Sequence, residues 1–204
     1  MRQTEQLLKL VSPNLRRHLI DMLLRSLYPE DDCEGVRPIL RSAFTHLPIL
    51  EKFCSVRDGL FLATEAVYPL QEPPVWSLWP KLRKLALHNQ DVSRDFFEGL
   101  KKLQRIEKVV LTRTDGLLEI DVKQTWRIQF DKAEEVRPLE IVLVNVESDH
   151  PYFICKEKWT ENDKLRIREM NMPISYYGDE DCIVRCQQWV KRRFLAGEPV
   201  TKQT

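Results

Sequence analysis

The chain has 204 residues, 43% of them apolar and 31% charged, and its 32 basic against 31 acidic side chains leave a formal net charge of +1. That is the make-up of a folded globular protein, and the near balance of charge excludes bulk attraction to nucleic acid or to an anionic membrane. No run of about 18 apolar residues occurs and the opening MRQTEQLLKLV is too polar for a secretory signal, so an intracellular location without a membrane partner is expected.

In chain order, Thr4 to Val11 reads as a short helix interrupted by Ser12-Pro13-Asn14, because proline disfavours helical geometry in the residue before it. Leu15 to Leu24 fits a first strand or a helix, and over so few residues periodicity does not decide. After the acidic loop Pro29 to Gly35, Val36, Ile39, Leu40, Ala43, Phe44 and Leu47 recur at helical spacing and lead into a strand at Leu50. Tyr68 to Pro80 holds four of the twelve prolines and two tryptophans, which rules out regular helix or central strand there. Those tryptophans either fold down over the protein edge or line a groove for a partner peptide. Asp91-Val92-Ser93 caps a helix with the stripe Phe96, Phe97, Leu100 and Leu103. Leu117 to Phe130 alternates apolar and polar residues and predicts a hairpin. Tyr152 to Cys155 and Leu165 to Met170 read as short strands and Pro173 to Gly178 as a turn. Asp179 to Ala196 reads as a helix stopped by Gly197, with the apolar face Ile183, Cys186, Trp189, Val190 and Phe194.

A frame L-x-x-L-x-L recurs in this order. Its first, fourth and sixth positions fall at Leu50, Phe53 and Ser55; at Leu82, Leu85 and Leu87; at Ile106, Val109 and Leu111; and at Leu139, Val142 and Val144, so eleven of twelve are apolar. First positions are separated by 32, 24 and 33 residues, against about 20 to 29 for a leucine-rich repeat. The fold expected is α/β: a short, irregular, leucine-rich-repeat-like solenoid of mostly parallel strands over residues 1–149, with residues 150–204 as a helical cap in the same domain. A doubly wound open sheet, which also alternates strand and helix, is the alternative.

Side chains alternate across a strand, so the frame also predicts a solvent face in columns. Lys52, Lys84, Lys108 and Ile141 form a largely basic edge. Cys54, Ala86, Val110 and Leu143 form an apolar floor, followed by Val56, His88, Thr112 and Asn145. Asp58, Asp91, Asp115 and Asp149 lie beyond the strand ends. The binding residues expected are His88, Thr112, Asn145, Asp58, Asp115, Lys84 and Lys108, an apolar floor with convergent polar groups. His88, with Asp91 three residues on, is the one candidate for acid–base chemistry, of the kind an isomerisation or cyclisation of a small molecule would need. No nucleophile elbow, metalloprotease, P-loop or dinucleotide motif occurs. The four histidines share no metal spacing, and the cysteines (Cys33, Cys54, Cys155, Cys182, Cys186) form no C-x-x-C pair, so neither metal nor cofactor is expected.

The phrases LPILEKFCSVRDGLFL, VWSLWPKLRKLALHN and LQRIEKVVLTRTDGL resemble the leucine-rich half of fungal F-box proteins, over about residues 10–150. The resemblance implies a substrate-recognition scaffold of a ubiquitin ligase, with a protein substrate as its partner. An adaptor subunit would join it only where an F-box precedes the repeats, and this sequence has no F-box pattern. A small organic ligand on the same scaffold is the competing expectation.

Overall fold

A computed structural model describes residues 2–21, 32–60, 62, 64, 72–130, 137–146, 160, 163–172 and 181–198. Among them are helices α1 (Arg2–Val11), α2 (Val36–Thr45), α3 (Arg94–Lys101), α4 (Val122–Phe130) and α5 (Cys182–Ala196) and strands β1 (Arg17–Ile20), β2 (Lys52–Ser55), β3 (Lys84–His88), β4 (Lys108–Thr112), β5 (Leu139–Val146) and β6 (Leu165–Met172). The expected strand Tyr152 to Cys155, the turn Pro173 to Gly178 and Asp149 lie outside the described residues.

The protein is α/β, and the six strands among the described residues are all parallel and stand in the order β1-β2-β3-β4-β5-β6. Each strand pairs with the next in sequence, without the reversal of order that marks a doubly wound sheet. Phe53, Leu85, Leu87, Val109, Leu111, Ile141 and Leu143 turn to one face, where they meet Leu40 and Phe44 of α2, Trp76, Phe96 and Phe97 of α3, and Val122 and Trp126 of α4. Every described connecting element therefore lies on that side. Both tryptophans of the proline-rich stretch belong to this core, so the alternative of a partner groove there is overturned. Trp79 donates through Nε1 to the Phe44 carbonyl at 2.6 Å, and Trp76 lies so close to Gly99 of α3 that a Cβ there would stand 2.6 Å from its ring.

Two expectations about elements are corrected. Leu117 to Phe130 holds a turn and helix α4, not a hairpin. Val122, Trp126 and Phe130 are four apart, a spacing that satisfies strand alternation and a helix face alike, and the Asp121 carboxylate accepts from the Gln124 backbone N–H at 3.0 Å, which starts the helix. In β5 the frame is off by one residue: Lys84 and Lys108 align with Glu140, not Ile141, and Ala86 and Val110 align with Val142, not Leu143. A slip of one exchanges the faces, so Val142 sits opposite Phe53, Leu85 and Val109, and Ile141 takes the place expected for it.

Within 150–204, β6 continues the sheet beside β5 and α5 crosses the sheet's second face. Asp181 Oδ1 caps α5 by accepting from Ile183 N at 2.8 Å, and Gly197, at φ 72°, ends it.

Candidate functional site

The second face of the sheet carries the columns expected to meet solvent. Cys54, Ala86, Val110, Val142 and Val144 form its floor, and Cys186 and Val190 of α5 lie on them with Trp189 and Phe194 at the margin. The periodicity of α5 announced this apolar face; what it covers is a finding of the structure.

His88 and Thr112 are thereby buried, at 4% and 3% exposure, in place of the open positions expected. They are neighbours across β3 and β4, and His88 Nδ1 lies 2.7 Å from Thr112 Oγ1. On the other side of the ring, Gln187 of α5 offers its amide Nε2 to His88 Nε2 at 3.0 Å. An amide N–H donates, so Nε2 accepts and the ring proton sits on Nδ1, directed at Thr112. The pair is a polar clasp between sheet and helix. Asn145 does not extend it: Val144 occupies the third place in that row, and Asn145 is buried with its Nδ2 unpartnered among the described residues. Gln187 interrupts an apolar helix face, so no local pattern marks it as a partner of His88.

The carboxylates beyond the strand ends also take up other duties. Asp58 is buried and accepts from Leu60 N at 3.0 Å, which shapes the turn after β2. Asp91 and Asp115 form an isolated parallel bridge that prolongs β3 and β4. Desolvation at that position raises the Asp91 carboxyl from its ordinary value, and Glu119, Asp115 and Asp95 add to the rise. The side-chain partners that hold the His88 ring are Thr112 and Gln187. Among the described residues, no group of three or more His, Cys, Asp or Glu could hold a metal ion, and no helix is long and apolar enough to cross a membrane.

The basic edge is the part of the expected site that remains open. Arg17, Lys52, Lys84 and Lys108 stand on four successive strands in direct register. Next to them in sequence runs a second row, Arg16, Glu51, Arg83 and Glu107, which neutralises itself through Arg16–Glu51 at 2.9 Å and Arg83–Glu107 at 2.8 Å. Lys108 pairs with Glu140 at 2.7 Å, and Glu140 also takes Arg168 at 2.9 Å. No described residue forms an ion pair with Lys52 or Lys84. Desolvation, and then the like charges of Arg17, Lys84 and Arg83, hold the Lys52 ammonium below its ordinary value, with Glu51 opposing.

Lys52, Lys84 and Lys108 line one wall of a cleft whose floor is Ala86 and Val110 and whose far wall is Val190, Phe194, Gly197 and Glu198 at the end of α5. It is shallow and open to solvent, with a cavity volume of about 40 Å³. The structure thus joins Lys84 and Lys108 to the last turn of α5, a neighbour that nothing in the local pattern of either segment specifies. Comparison with protein-family models, with curated proteins and with solved structures gives no match to this chain.

Proposed function

We propose that this chain is a non-enzymatic binding scaffold, a short leucine-rich-repeat-like solenoid similar to the substrate-recognition region of an F-box receptor, which engages a protein partner along the N-terminal edge of its sheet. The observation that carries this reading is the in-register basic row Lys52–Lys84–Lys108 beside an open, apolar-floored cleft.

The repeat reading draws support from backbone that recurs with the sequence frame. Asn89 (φ 56°) and Arg113 (φ 50°) both adopt the left-handed conformation in the residue after their strand, 24 positions apart, as are Lys84 and Lys108 and the bridged Asp91 and Asp115. Non-glycine residues seldom adopt it, so its return at one interval is a property of a repeating unit. Acid–base catalysis at His88 has less in its favour, since the ring is sealed beneath α5 with both nitrogens engaged.

The test is a photo-crosslinking residue, p-benzoylphenylalanine, placed in the full chain either at Lys81, exposed just before β3, or at Ile128, exposed on the outer helix α4. A protein adduct from position 81 and none from position 128 is expected in cells. Absence of an adduct at both, or equal yields, overturns the reading.

A further inference from the structure

The row of cations is a liability that folding alone does not explain. Like charges placed directly opposite on neighbouring strands destabilise a sheet, and Arg17, Lys52, Lys84 and Lys108 do so on four strands in succession. The adjoining row shows what neutralisation looks like in this fold, with an arginine facing a glutamate in each described pair. In the inner row the first carboxylate in register is Glu140, and it is shared between Lys108 and Arg168. Positive charge is left at Lys52 and Lys84, in a chain whose overall charge is only +1.

From this geometry we infer that the cleft receives an extended acidic peptide segment of the partner, with its carboxylates or phosphates on Lys52 and Lys84 and an adjacent apolar side chain on the floor. The inference deepens the scaffold reading and rests on it. Adjacent strands stand about 4.8 Å apart, so the flexible side chains of Lys52 and Lys84 can meet two alternate side chains of an extended chain, which lie about 6.6 Å apart at a rise of about 3.3 Å per residue. Ala86 and Val110 supply a floor without bulk, and Val190 and Phe194 an apolar wall. Anion and apolar group must therefore arrive side by side on one ligand. Glu198 at the far wall is neutralised by Arg193 at 3.3 Å and does not answer the two lysines.

A degenerate decapeptide library is passed over the immobilised full chain, and enriched sequences are remade with a fluorophore for anisotropy titration. Enrichment of Asp, Glu or phosphoserine next to Leu, Ile or Phe is expected, with binding at least tenfold weaker to K52Q/K84Q and weakened again by about 0.5 M NaCl. The double variant should melt no lower than the parent, because it relieves repulsion; a lower melting temperature would assign the lysines to folding and overturn the proposal. So would enrichment without acidic residues, equal affinity for K52Q/K84Q, or a single-stranded 12-mer DNA bound as tightly as the best peptide. Citrate bound as well as that peptide would reassign the cleft to a small acid. A crosslink from position 81 without acidic enrichment overturns the peptide assignment and leaves the scaffold standing, whereas no crosslink removes both.

Discussion

His88 shows how one covering helix changes what a residue is for. As an exposed residue it would be dispensable to folding, but beneath α5 it fills space and serves two partners. His88→Ala is therefore expected to cost about 2 to 4 kcal/mol in chemical denaturation, through the space vacated and through the polar groups of Thr112 and Gln187 left with one partner fewer. Leu85→Ala, on the opposite face, should fall in the same range, about 2 to 5 kcal/mol. His18 offers a second residue-scale measurement. It stacks on Phe53 with ring centroids 5.8 Å apart and meets Phe44 edge-on at 5.7 Å, and desolvation lowers its pKa from the ordinary 6.5. With the folded value below the unfolded one, the unfolded chain binds the proton more readily, so the contribution is whole above pH 6.5 and is lost as pH falls towards the folded value. Melting temperature should decline between about pH 7.5 and pH 5.5, and His18→Leu should flatten that part of the profile in a calorimetric series.

At the scale of elements, α4 is held to the segment before β6 by a buried ammonium: Lys123 Nζ lies 2.8 Å from Asp163 Oδ2, with the lysine side chain only 2% exposed. Asp163→Asn should lower stability in urea denaturation, because it removes a carboxylate that stands 2.8 Å from a buried ammonium. Lys123→Met added to it should recover most of that loss. If the double variant is no more stable than the single one, the burial of charge is not the cause. Elements of this kind differed in how far they could be read beforehand. α3 and α5 were legible because each has an apolar stripe of period 3.6 behind a recognisable start residue, and α5 also has Gly197 as its stop. In α4 the decisive spacing of four is also an even number, and the cue to a helix is the capping Asp121. The run LEIVLVNV of β5 is apolar on both faces, as in a strand buried on both sides, so its register was open to a slip of one; the cue was Glu140, the acidic residue that meets Lys108. For the candidate site, the columns on β3 and β4 and the basic edge were legible from the repeat. That α5 closes His88 and leaves the lysines open depends on which distant surface a helix face meets, and periodicity does not encode that.

For the molecule as a whole, α5 is what closes the sheet's second face. A chain ending at residue 180 would leave Cys54, Ala86, Val110, Val142 and Val144 without that cover, and it should bind the dye ANS and self-associate in light scattering, since exposed apolar patches of this kind drive association. Unchanged dye binding and a monomeric truncation would show that the helix is not the cover. The sequential order of the strands also has a temporal side. Each of β2 to β6 pairs with the strand synthesised just before it, so a nascent chain can extend the sheet as it leaves the ribosome. The contacts of α5 obey no such order: Gln187 reaches back 99 residues to His88, and Lys191 reaches 170 residues to Asp21. Until α5 emerges the growing sheet thus carries one covered face and one bare one, and the chain is most vulnerable to aggregation immediately before that helix is made.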